Sequence, residues 1–165
     1  MCAGLISRLI NAGFGFDSSL KIVNSALLIK SNDESLATLD IANIDLFTGK
    51  CELFKAGAPS SYIVKNGVLN KCELSSMPAG ILRGIEFAKR TAVLSPNDSI
   101  IMMSDGITDL GEEWLNRVFA ESPYGIQNTA DYILKSALKA TEGIKRDDMS
   151  VIYAKLERNQ NERSF

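Results

Sequence analysis

Apolar residues recur at helical spacing from the start of the chain. Leu5, Ile6, Leu9 and Ile10 fall on one face of a predicted helix over 3–12, which Gly13-Phe14-Gly15 ends. A second helical stretch carries Leu20, Val23 and Leu27, with Asp17 and Ser18 as candidate caps, and stops before Ser31-Asn32-Asp33. The period then shortens. Runs at 36–46, 51–56, 61–65, 68–74, 86–94 and 99–103 read as strands joined by turn chemistry at Thr48-Gly49, Gly57-Ala58-Pro59, Asn66-Gly67 and Ser95-Pro96-Asn97-Asp98. Asn66-Gly67 is the strongest of these, because two residues that tolerate positive φ make the turn whose twist suits a hairpin. Strands connected in this way predict a meander.

Helical spacing returns after Asp109, whose carboxylate with Glu112 three residues on predicts a capping box. It continues after Asn128, where Ala130, Ile133, Leu134, Ala137 and Leu138 share a face, Lys135 and Lys139 lie outside, and Gly143 is placed to end the helix. Val151-Ile152-Tyr153-Ala154 is a last strand. Helices, strands, helices and a final strand describe an α+β layer architecture. With no internal repeat or linker, a single domain over 1–165 is expected, with a mostly polar, frayed tail at 159–165.

Composition narrows the chemistry. A chain of 165 residues with 45% hydrophobic and 23% charged residues can bury one core and has no bias toward disorder. A net charge of -2 leaves no basic surface for nucleic acid. The three cysteines, Cys2, Cys51 and Cys72, are scattered without metal-binding spacing, which fits a reducing cytosol. No apolar stretch approaches the ~20 residues that span a bilayer, and no secretory signal is visible. Histidine is absent, which removes Ser/His/Asp triads, Cys/His pairs and HExxH metal helices. Any catalysis must run on carboxylates, lysines, hydroxyls or a metal held by oxygen.

Two junctions suit that last option. Ile100-Ile101-Met102-Met103 empties into Ser104-Asp105-Gly106, and Asp147-Asp148-Met149-Ser150 opens Val151-Ile152-Tyr153-Ala154. Either alone reads most simply as a turn, since Asp and Gly dominate turns. Together they place acidic side chains at the rims of two core strands, and carboxylates within ~4 to 6 Å repel unless a cation lies between them. Oxygen-only ligation favours Mg²⁺ or Mn²⁺.

These junctions, together with Asn24-Ser25, Ala37-Thr38-Leu39-Asp40, Ile44-Asp45-Leu46, Lys55-Ala56-Gly57-Ala58 and Met77-Pro78-Ala79-Gly80, resemble the C-terminal part of the phosphatase domain of the stage II sporulation protein E family. Those are metal-dependent Ser/Thr phosphatases of the protein phosphatase 2C type, and the resemblance runs from about Leu5 to Leu156. It implies an α-β-β-α sandwich of antiparallel sheets between helices, with a two-metal Mn²⁺ or Mg²⁺ centre at one edge of the sheets. By motif, Asp105 and Asp147 become direct ligands of one metal, Asp148 holds its neighbour or a water, and Gly106 gives a close backbone approach. The implied reaction is one-step hydrolysis of a phosphoserine or phosphothreonine by metal-activated water. The implied partner is a small phosphorylated anti-sigma factor antagonist, met by a cytoplasmic domain that can belong to a longer, membrane-anchored protein.

The family also carries an earlier Asp-Gly-Met-Gly motif whose Asp bridges both metals. Gly13-Phe14-Gly15-Phe16-Asp17 has the wrong order for it. The chain is therefore expected to lack the opening strands and the bridging carboxylate, and, with bare sheet edges, to self-associate. The alternatives are a phosphatase-like binding module without activity and a domain whose aspartates only form turns. Elsewhere, Asp40 reads as a buried structural acid, Asp45 as a turn former and Trp114 as packing. Lys145-Arg146 reads as charge pairing in a loop rather than a phosphate site.

Overall fold

The computed structural model describes residues 2–30, 36–123, 125–143 and 147–158. Helices α1 (Cys2–Asn11) and α2 (Phe16–Lys30) precede strands β1 (Leu39–Ile44), β2 (Lys50–Ala56), β3 (Ser61–Lys65), β4 (Val68–Cys72), β5 (Ala88–Val93) and β6 (Ser99–Met103). Helices α3 (Asp105–Thr108), α4 (Glu112–Glu121) and α5 (Ile126–Ala140) and strand β7 (Val151–Lys155) follow. The expected α+β class holds, with antiparallel sheets and flanking helices, but the meander does not. The strands form two sheets, β1-β2-β5 and β4-β3-β6-β7. The break at Gly57-Ala58-Pro59 explains the division: Gly57 turns at φ 61, and Pro59 has no ladder donor, so β3 leaves the sheet of β2. Lys145-Arg146 and the tail at 159–165 lie outside the described residues. No helix among the described residues is long and apolar enough to cross a membrane.

The chain divides into two compact units. The first comprises Met1–Ala42, Leu53–Ala58 and Leu74–Arg90. Its core joins Val23 and Leu27 of α2 to Ala56 and Ala79, with Leu5, Ile6 and Leu9 of α1 packed partly buried against them. Asn24, inside this core, donates from Nδ2 to the Leu82 carbonyl (3.0 Å) and accepts the Gly80 N–H at Oδ1 (2.8 Å), tying α2 to the 80–82 loop. Asp40 is a structural acid, as expected, but is half-buried rather than buried: it pairs at 2.7 Å with Lys55 Nζ, whose side chain is wholly buried. Asp17 is not a cap. It lies in the first turn of α2, where its charge favours the helix dipole, while the Ser19 N–H and hydroxyl both donate to the Gly15 carbonyl at 2.9 Å.

The second unit comprises Asn43–Glu52, Pro59–Glu73 and Thr91–Phe165. Helices α4 and α5 cover one face of the four-stranded sheet. Tyr62 and Val64 of β3, Ile101 and Met103 of β6, and Leu115, Val118, Ile133 and Ala137 of the helices form its core, with Trp114 packed at the margin as expected. Asn66 (φ 51) and Gly67 (φ 77) make the hairpin turn that closes the Lys65↔Val68 pair. Asp45 forms the predicted turn, accepting the Phe47 and Thr48 N–H groups at Oδ1 (2.9 and 3.0 Å). The capping box at Asp109 is not formed. Asp109 closes α3 as its C-cap, its N–H donating to the Asp105 carbonyl, and α4 starts from Gly111 at φ 92. Helix α5 likewise begins at Ile126, ahead of Asn128.

Candidate metal centre

Strands β6 and β7 pair antiparallel with Met103 opposite Val151. Continuing that register by one rung sets Ser104 against Ser150, and the Ser104 N–H indeed donates to the Ser150 carbonyl at 3.1 Å. Beyond that point β6 becomes helix α3. The Ser104 carbonyl turns away from β7 to accept the N–H groups of Ile107 (3.1 Å) and Thr108 (3.2 Å). Asp105 is thus the first residue of a one-turn helix rather than a simple turn after a strand, and its carboxylate sits in that helix's first turn.

The structure brings the two predicted junctions together. Ser104 Oγ donates to the Asp148 carbonyl (2.8 Å) and accepts the Ser150 N–H (2.9 Å). Gly106 lies so close to the facing loop that an added Cβ would stand 2.9 Å from the Asp148 carbonyl oxygen and 3.3 Å from that of Asp147. Each aspartate is steadied locally. Asp105 Oδ1 accepts the Gly106 N–H at 3.0 Å, and Asp147 Oδ1 accepts the Asp148 N–H at 2.8 Å. It is therefore the backbone of Asp148 that holds its neighbour. Asp105, Asp147 and Asp148 are all solvent-exposed, so their carboxylates remain open to an ion.

Two exposed carboxylates on adjoining loops fit a hard cation in kind. Mg²⁺ in particular keeps several waters and takes only one or two protein carboxylates. Among the described residues no group of three or more His, Cys, Asp or Glu side chains is placed to hold a metal. Burial pushes the Cys51 thiol up, with Cys72 adding to it, so that thiol is no nucleophile. Sequence reasoning found both junctions and the need for Gly106, but gave Ser104 no role. Its only signal is its position as the last residue before the acid.

The family described as stage II sporulation protein E matches residues 1–157. A stage II sporulation protein E of Priestia megaterium is 31% identical over 162 residues, covering 94% of this chain; the chain spans only 28% of that protein. The solved PP2C phosphatase domain of SpoIIE from Bacillus subtilis, with a fragment of its regulatory domain, superposes with a TM-score of 0.85 at 27% identity, covering 96% of this chain and 50% of that one. The phosphatase domain of the same protein after a manganese presoak gives a TM-score of 0.68 at 27% identity, over 95% of this chain and 72% of that one. The chain belongs to the stage II sporulation protein E family, with the fold of its protein phosphatase 2C-type Ser/Thr phosphatase domain.

Proposed function

We propose that this chain carries part of the metal site of a phosphoserine/phosphothreonine protein phosphatase, with Asp105 and Asp147 as ligands of Mn²⁺ or Mg²⁺. The carrying observation is the juxtaposition of the 104–106 and 147–150 segments, hydrogen-bonded across at three points. The manganese presoak of a relative with the same fold supports the choice of ion. A cation held there would act as a Lewis acid toward water and a phosphoryl oxygen. The chain's part is to orient: Asp105 offers oxygen donors from the first turn of α3 and Asp147 from the loop ahead of β7, and the Gly106 and Asp148 N–H groups fix one oxygen of each carboxylate. The reaction is hydrolysis of a phosphate monoester to alcohol and inorganic phosphate. The substrate we propose is a small phosphorylated anti-sigma factor antagonist, met in the cytoplasm.

Calorimetric titration of Mn²⁺ into the chain and into an Asp105→Asn, Asp147→Asn double variant tests the site. Binding that vanishes in the variant supports it, and equal heats from both would sink it. The substrate class is checked by phosphate release from a phosphoserine form of such an antagonist, incubated with the chain and Mn²⁺. A second reading, a binding module without chemistry, draws on the small number of acidic ligands gathered among the described residues. It predicts partner binding that survives both chelator and Asp105→Asn.

A further inference from the structure

Ser104 occupies the position that precedes a helix, where a serine hydroxyl ordinarily accepts an N–H from the first turn. Here it makes no such bond. Its environment explains why. At the end of β6 one carbonyl is claimed twice: the β6–β7 ladder would offer the Ser104 carbonyl to the Ser150 N–H, but α3 takes that carbonyl for Ile107 and Thr108. The Ser150 N–H is left needing an acceptor, and Ser104 Oγ, at 2.9 Å, supplies one. The hydroxyl proton then goes to the Asp148 carbonyl at 2.8 Å. One side chain continues the ladder beyond the point where the backbone has left it.

We infer that Ser104 is a positioning residue for the metal site, its hydroxyl setting the spacing between the loop of Asp105 and the loop of Asp147. This rests on the proposed reading of Asp105 and Asp147 as ligands. Ser104 precedes Asp105 directly, and its two side-chain bonds land on Asp148 and Ser150, which bracket the loop downstream of Asp147. Alanine at 104 removes both bonds and leaves the Ser104 N–H to Ser150 carbonyl bond as the remaining described link between these segments at that rung. Threonine keeps the hydroxyl.

The test is nuclear magnetic resonance on the whole chain, comparing the parent with Ser104→Ala and Ser104→Thr. Amide exchange at Ser150, read without metal, reports the hydroxyl's bond. Line broadening at residues 105–106 and 147–149 during Mn²⁺ addition reports affinity, and a thermal melt reports global stability. Ser104→Ala should exchange the Ser150 N–H faster and weaken Mn²⁺ binding by about ten- to a hundredfold, as loss of a group that orients metal ligands does. Its melting point should stay near the parent's, and Ser104→Thr should restore both readouts. Unchanged exchange at Ser150 would overturn the hydrogen-bonding role. Faster exchange with unchanged Mn²⁺ affinity would overturn the positioning role while leaving the metal site intact. A parent that shows no Mn²⁺ broadening at 105–106 or 147–149 would overturn the metal reading itself, and the positioning role with it.

Discussion

Replacing Gly106 by alanine sets two opposed effects against each other at the proposed site. In a helix interior alanine is favoured over glycine by about 1 kcal/mol, and Gly106 has no positive φ to forbid it. Helix α3 is a single turn, Asp105–Thr108, so only part of that gain is realised. Against it, the new Cβ would stand 2.9 Å from the Asp148 carbonyl oxygen, 3.2 Å from Met149 Cγ and 3.3 Å from the Asp147 carbonyl oxygen. The methionine can swing aside. The Asp148 carbonyl cannot do so freely, because Ser104 Oγ holds it at 2.8 Å. Relief requires the two loops to part by a few tenths of an ångström, at a cost of about 1 to 3 kcal/mol for overpacking. The clash should win. Gly106→Ala should lose about 1 kcal/mol in urea unfolding, and its Mn²⁺ affinity should fall by about tenfold or more. A variant as stable as the parent, with unchanged Mn²⁺ affinity, would show that the 147–149 loop yields without cost, and the close approach would then have no functional meaning.

The remaining predictions concern the rest of the fold. Lys55→Met removes the partner of Asp40 in a pair whose lysine side chain is wholly buried. It should cost about 3 kcal/mol by thermal or urea unfolding, and Asp40→Asn combined with Lys55→Met should cost less than Lys55→Met alone; equal losses would deny the pairing its weight. Asp45 has its carboxyl held below the usual carboxylate range by the N–H of Thr48, and next by that of Phe47. Because the folded value is depressed, its contribution is complete above the unfolded value and is lost as pH falls through the folded one. Asp45→Ala should therefore be less stable than the parent at neutral pH and converge with it in acid, once pH has fallen through the depressed folded value of the Asp45 carboxyl. A gap that persists in acid would refute the assignment.

The hydrophobic pattern was a good guide to which segments form elements and a poor one to their partners. Leu5, Ile6 and Leu9 mark α1 because helical spacing is a local property, and all three do pack on the core of the first unit. Asn66-Gly67 foretold its turn because the required positive φ belongs to those two residues alone. Strand pairing is different. Gly57-Ala58-Pro59 marks a change of direction after β2, but nothing local names β6 as the strand that β3 then meets, and there the sheet order departs from the meander. Caps failed by the same logic. Asp17 and Asp109 are capable caps, but Gly15 and Gly111 precede the helices, and the choice depends on how the chain enters each helix.

The candidate site shows where local legibility ends. Asp105 and Asp147 stand out because each adjoins an apolar run, a feature visible in a few residues. The role of Ser104 depends on groups 44 and 46 residues away and becomes visible only with the register of β6 on β7. That register is set by the core. Ile101 and Met103 face the helices in the cluster that also holds Ile133 and Ala137. A slip of one residue would turn them to the other face of the sheet. The same slip would move Ser104 off Ser150 and part the two acidic loops. Burial of apolar side chains on one face of β6 thus fixes, a few residues on, which loop backbone Ser104 meets and how closely the two carboxylate-bearing segments approach. A core substitution that shifted this register would be expected to abolish Mn²⁺ binding without touching either aspartate.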